Sequence, residues 1–110
     1  MRRTYLGEFE EIVLLSVGIL FEKAYAVAIK EEIAEQTDRN ANISAVHTAL
    51  YRLEEKGYLD SKLGDAEAKR GGKRKRLFAV TNLGKIALSE TMELRQKLWS
   101  QIPKPAFNFN

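Results

Sequence analysis

Cysteine is absent from these 110 residues, which removes any disulfide framework and any thiolate metal site. That absence fits a reducing cytosol. Histidine occurs once, as His47, and a catalytic base or a metal site needs companions that a lone imidazole lacks. No nucleophile stands beside a base, and no glycine loop of the phosphate-binding kind is present. Neither enzyme activity nor a cofactor is expected. Long apolar runs are missing as well. The longest, Ile12 to Phe21, is interrupted by Ser16 and Gly18 and falls short of the about 20 residues a membrane span requires. It follows Glu8, Glu10 and Glu11 rather than a cationic segment, and no small-residue cleavage site stands out. A soluble, cytoplasmic protein is expected.

A chain of this length forms one domain that buries roughly 60 to 70% of its unfolded surface, and a separate catalytic domain would not fit. With 45% hydrophobic and 30% charged residues the composition is that of a globular protein. The formal charge of +3 conceals an asymmetry. Residues 1–37 hold four Lys or Arg against seven Asp or Glu, whereas residues 64–76 hold six against two. Concentrated basic charge matters more to a polyanionic partner than the total does.

The chain is organised around Asn42 to Gly57, NISAVHTALYRLEEKG. Ile43, Val46, Leu50 and Leu53 fall on one helical stripe, with Ile43 just outside its start. Ser44, Ala45, Thr48 and Arg52 face away from that stripe, with Tyr51 and Glu55 beside them. A face with so few bulky groups in its first turns can enter a groove. Ser44 is the expected N-cap and Gly57 the expected C′ residue, since glycine takes positive φ without penalty. A strand over 58–63, a polar loop over 64–73 and a returning strand over 74–81 follow. The loop end and second-strand start read KRGGKRKR, six of eight residues being basic. A capped helix followed by a cationic hairpin is the order of a winged helix-turn-helix, in which the helix meets base edges and the wing meets phosphates.

The flanking segments complete this plan. A first helix is predicted from about Gly7 to Phe21, with Phe9, Ile12, Val13, Val17 and Leu20 on one stripe. Leu14, Leu15 and Ile19 make it apolar on other sides too, so it is expected to be buried on more than one face. A second helix spans Tyr25 to Thr37, and the segment DRNAN over 38–42 supplies residues that tolerate turns and left-handed conformations. In the hairpin, Leu59 and Leu63 are assigned to one face and Tyr58, Asp60 and Lys62 to the other. Thr81 caps a fourth helix that runs from about Asn82 to Gln101, ended by Pro103 and Pro105. Its apolar seam, with Leu88, Met92, Leu94, Leu98, Trp99 and Ile102, has no later element to cover it, which implies a partner helix and a symmetric homodimer. The fold class expected is mainly α with a small β-hairpin (α+β): a winged helix-turn-helix domain over 1–81, a dimerisation helix over 82–102 and a tail over 103–110.

The segments LGEFEEIVLLSVG, AYAVAIKEEI, ISAVHTALYRLEEKGYLDSKLG and RGGKRKRLFAVTNLGKIAL together resemble the PadR family of bacterial transcription regulators, in its short branch with a single C-terminal helix. The resemblance implies a winged-helix homodimer that binds operator DNA as a repressor, dimerised through the last helix. It further implies an aromatic small molecule between subunits that weakens DNA binding, with an indole of the C-terminal helix lining its site. Two positions depart from the family pattern: His47 stands where Tyr is usual, and Ala26 where Gly is usual. His47 can still donate to a phosphate, more strongly when protonated.

The residues expected to contact double-stranded DNA are Ser44, Ala45, His47, Thr48, Tyr51 and Arg52 on the third helix and Lys69, Arg70, Lys73, Arg74 and Lys75 on the wing. Arg52 can pair bidentately with guanine or phosphate. Phe9, Val13, Met92 and Trp99 are the expected aromatic-ligand site. The dimer seam is assigned to Val17, Leu88, Met92, Leu94, Leu98, Trp99 and Ile102. The rival reading is a winged-helix protein-interaction module whose wing binds DNA only non-specifically.

Overall fold

A computed structural model describes residues 6–64 and 74–107. Helix α1 (Glu8–Leu20) leads through a 3-10 turn (Phe21–Lys23) into α2 (Ala26–Thr37) and α3 (Ile43–Glu55). Strands β1 (Leu59–Leu63) and β2 (Arg76–Val80) then precede α4 (Asn82–Ser100) and a closing 3-10 turn, Lys104–Phe107.

Three acidic residues in the first turn of α1, Glu8, Glu10 and Glu11, complement the positive end of its dipole. The same carboxylates reach three other elements. Glu8 pairs with Arg39 at 2.9 Å, Glu10 with Lys56 at 2.6 Å and Glu11 with Arg95 at 3.2 Å. Val13, Leu14 and Val17 are fully enclosed with Ile29 and Ile33 of α2 and Val46, Leu50 and Leu53 of α3. Ser16 is buried among them, and its hydroxyl is satisfied by donating to the Ile12 carbonyl at 2.8 Å. The outer edge of α1 keeps Leu15 and Ile19 exposed. Val17, expected at a subunit seam, instead belongs to the chain's own core. A side chain that is 1% exposed has no surface left for a partner.

Helix α2 stops at Asp38, which takes the left-handed conformation (φ 57°) and donates its N–H to the Ala34 carbonyl. The N-cap of α3 is Asn42 rather than Ser44. Asn42 is extended and its side chain accepts from the Ala45 N–H at 2.8 Å. Starting the helix there places Ile43 inside it, against the core cluster. At the other end the Tyr58 N–H reaches the Leu53 carbonyl and the Gly57 N–H that of Glu54, with Gly57 at φ 83°. This 6→1 and 5→2 pair needs a left-handed residue at C′, which glycine adopts freely.

The strands are antiparallel, pairing Leu59 with Val80, Ser61 with Phe78 and Leu63 with Arg76. The Phe78 N–H also bonds the Ala24 carbonyl at 2.9 Å, stitching the α1–α2 connection to the edge of the hairpin. Leu59 and Phe78 enter the core, while Leu63, expected beside Leu59, is exposed at the end of the ladder next to the connecting loop. Thr81 fastens α4 to the hairpin. Its hydroxyl accepts from the Gly84 N–H at 3.0 Å and donates to the Gly57 carbonyl at 2.6 Å. Gly84 and Ala87 are buried and Leu88 packs on the core, but from Met92 onward α4 is uncovered. The later part of this 19-residue helix projects beyond the head and stretches the molecule to 61 × 36 × 20 Å. No helix among the described residues is long and apolar enough to cross a membrane.

Candidate nucleic-acid interface

The stripe of α3 that packs on α1 and α2 leaves its other side in solvent. Ser44, His47, Thr48, Tyr51 and Arg52 are exposed there, while Ala45 is half-buried at the edge, its N–H held by the Asn42 cap. The Thr48 hydroxyl donates to the Ser44 carbonyl at 3.0 Å. That bond uses its proton, so the hydroxyl is left to act as an acceptor. His47 and Tyr51, one turn apart, lie with ring centroids 6.4 Å apart and planes inclined by 27°. Glu54 is drawn off this face by the Ser61 hydroxyl, which donates to it at 2.6 Å. The face is therefore short-chained near its start and cationic at Arg52.

The 74–76 segment of the wing adds three cations held in different ways. The Arg74 guanidinium turns back on the backbone, donating from Nε to the Gly64 carbonyl at 2.7 Å and from Nη2 to that of Leu63 at 3.4 Å. Arg76 donates from Nη1 to the Ser61 hydroxyl at 3.0 Å. The Lys75 ammonium sits 4.0 Å from the centroid of the Tyr25 ring. Lys69, Arg70 and Lys73, expected in the same patch, lie outside the described residues.

An open cleft of about 650 Å³ joins wing and helix, walled by Tyr25, Ala26, Val27 and Glu31 of the α2 segment, His47 and Tyr51 of α3, Arg76 and Phe78 of β2, and Lys75 just before that strand. The structure thus gathers His47, Tyr51 and Lys75, which the sequence separates. Tyr25 joins this cleft without being among the residues expected to contact DNA. Its one signal is an aromatic ring immediately before a helix, a pattern too common to single it out.

Within one chain only Met92 and Trp99 of the expected ligand residues share a surface, since Phe9 and Val13 are expected from the other subunit. Met92 and Trp99 share a shallow depression of about 610 Å³ with Arg95, Gln96, Leu98 and Ile102. Val13 is sealed in the core. Phe9 lies on α1 beneath the Arg39 guanidinium, 5.7 Å from its ring centroid, and is no part of that depression. Within one chain, the site reduces to its α4 half. Trp99 also meets Phe107 of the closing turn, with centroids 5.3 Å apart. Of the residues assigned to the seam, Met92, Leu94, Leu98, Trp99 and Ile102 are exposed, and Leu88 is half-buried against the head. Among the described residues no three His, Cys, Asp or Glu side chains gather as a metal site would require.

A three-helix core with a hairpin packed on it and α3 turned outward is a winged helix-turn-helix, the architecture of a large class of transcription regulators. The pattern of the transcriptional regulator PadR-like family matches residues 14–90, from the middle of α1 to the middle of α4. The chain belongs to that family. A PadR family transcription regulator from Clostridium difficile is 28% identical, with a TM-score of 0.64 over 81% of this chain and 91% of that one. A PadR-like transcription factor from Bacteroides fragilis has the same fold at 19% identity, with a TM-score of 0.70 over 84% of each chain. So does hsRosR-S1, solved as a complex, at 23% identity and a TM-score of 0.66 over 88% of this chain and 79% of that one. No curated protein gives a significant match.

Proposed function

We propose that this PadR-like regulator is a sequence-specific repressor that binds operator DNA as a homodimer. The observation that carries the reading is the outward face of α3, joined through one cleft to the Lys75 and Arg76 side of the wing. In this mechanism α3 of each subunit enters one of two successive major grooves, about 34 to 36 Å apart, and Ser44, Thr48 and Arg52 approach base edges. His47, Tyr51 and the wing cations lie along the flanking phosphates. Each phosphate neutralised releases about 0.9 counterion, so affinity falls steeply with salt. Residues 1–81 act as the DNA-binding head, 82–102 as the dimerisation helix and 103–110 as a tail.

The uncovered stripe of α4 supports the dimer. Met92, Leu98 and Trp99 are each more than half exposed, and burying such side chains against a second copy of α4 removes apolar surface from water. A planar aromatic molecule seated by Met92 and Trp99 between subunits releases the DNA by favouring a geometry in which the two α3 helices no longer match the groove spacing. The test is a titration of labelled duplex carrying the DNA upstream of this protein's gene against a scrambled duplex, at two salt concentrations. The expected result is a preference of about two orders of magnitude or more for the upstream duplex, with one dimer per site. Equal, salt-sensitive binding to both contradicts the operator assignment and favours a protein-interaction module.

A further inference from the structure

We propose that Tyr25 is a positioning residue of the DNA interface: its ring holds the Lys75 ammonium at the cleft beside α3, ready for a backbone phosphate. The proposal rests on the DNA-binding reading above and extends it to a residue outside both the recognition helix and the wing. A lysine head on a four-carbon stem is a mobile charge, and most of its rotamers point away from any given phosphate. Here both ends of the contact are pinned by backbone. The Lys75 carbonyl accepts from the Gly64 N–H at 2.6 Å, closing the hairpin. Tyr25 is extended at the start of α2, directly after Ala24, whose carbonyl takes the Phe78 N–H, and its own carbonyl accepts from the Ile29 N–H at 2.9 Å. Both side chains are half-buried. The separation of 4.0 Å from ammonium to ring centroid lies well inside the roughly 6 Å over which an aromatic face attracts a cation.

The chemistry of this contact suits a waiting phosphate ligand. A carboxylate would neutralise the lysine and occupy its donors. A ring face attracts the charge without neutralising it, and the N–H groups that point away from the ring stay available. The two neighbouring arginines are committed elsewhere, Arg74 to the carbonyls of Gly64 and Leu63 and Arg76 to Ser61. His47 and Tyr51 line the same cleft from α3, and Glu31 of α2 is the one carboxylate on its wall, among the described residues. A phosphate entering there meets an ammonium already in place on one side and α3 on the other.

The experiment is fluorescence anisotropy of the upstream and scrambled duplexes with the full chain and its Tyr25→Phe, Tyr25→Leu, Lys75→Met and Tyr25→Leu/Lys75→Met variants. Tyr25→Phe keeps the ring and is expected to bind like the wild type. Tyr25→Leu is expected to weaken binding to both duplexes by about two- to fivefold, the factor that an exposed cation–π contact is worth. Lys75→Met is expected to reduce the salt slope by about one, and adding Tyr25→Leu to it to cost nothing more. An equal loss from Tyr25→Leu in both backgrounds overturns the proposal, because the ring then acts on the fold. So does unchanged binding, and so does tighter binding, which would mean that the ring parks the lysine away from DNA. A second readout covers a leucine variant that fails to fold: the Lys75 ε-methylene protons are expected upfield in the wild type and in Tyr25→Phe, and unshifted positions overturn the contact. If the wild type binds neither duplex, the proposal falls with the DNA reading, and a persisting upfield shift identifies the reading, not the contact, as the failure.

Discussion

Replacing Gly84 with alanine sets two effects of opposite sign against each other. Gly84 lies in the first turn of α4, and alanine in a helix is favoured over glycine by about 1 kcal/mol. Propensity alone therefore predicts a more stable protein. A Cβ at this position, however, meets the Tyr58 carbonyl oxygen at 2.3 Å, its carbon at 3.1 Å and the Val80 Cγ1 at 3.0 Å. The obstacle is backbone, and it is held: the Tyr58 carbonyl accepts from the Thr81 N–H at 3.0 Å. Relief requires α4 to lift from the hairpin, straining the bond from the Gly84 N–H to the Thr81 hydroxyl. Overpacking of this kind costs about 1 to 3 kcal/mol, and a strained cap adds about 0.5 to 2 kcal/mol. The clash wins, and the net loss is about 0.5 to 4 kcal/mol once the propensity gain is subtracted. Urea unfolding followed by circular dichroism, at matched protein concentration, measures it. A variant as stable as the wild type, or more so, would refute the seating of α4 on the hairpin.

Further outcomes follow from the same contacts. Thr81→Ala removes both the α4 cap and the bond to the Gly57 carbonyl and is expected to cost about 1 to 2 kcal/mol in the same unfolding assay, with Thr81→Ser recovering most of it. Leu98→Glu puts a charge on the exposed stripe of α4; sedimentation velocity is expected to show a monomer with unchanged helicity, and a persisting dimer places the seam elsewhere. Arg52→Ala is expected to erode the preference for the operator over scrambled DNA by about 1 to 3 kcal/mol. Equal weakening on both duplexes would reassign Arg52 to the phosphates.

What the sequence showed and what it hid divide along physical lines. The α3 stripe was legible because Val46, Leu50 and Leu53 repeat at helical spacing with only one side to bury. The helix start was not, because Asn42 and Ser44 are both capping residues two positions apart. The choice falls to the packing of Ile43, a tertiary contact. Helix α1 was readable as apolar on several sides, but which side meets its own core is set by α2 and α3. Val13 and Val17 accordingly moved from expected intersubunit roles into the core, while Leu15 and Ile19 stayed outside. Phe9 likewise meets Arg39 across the fold, a contact that no spacing in the sequence shows. A charge run predicted the wing, yet the run does not say how each cation is held. Arg74 on carbonyls, Arg76 on a hydroxyl and Lys75 on a ring are three different states of adjacent residues. Tyr25 had no periodic or charge signal, since its significance arises only where the hairpin returns to the start of α2.

The measurement that bears most directly on the central claim is a hydroxyl-radical footprint of the protein on the DNA upstream of its gene. Two α3 helices in successive major grooves predict protected patches on one face of the duplex, centred about 10 to 10.5 base pairs apart, with flanking protection that is lost first in Lys75→Met. A continuous ladder without phase, equal on scrambled DNA, would contradict it and leave the wing as a cationic surface for a different partner.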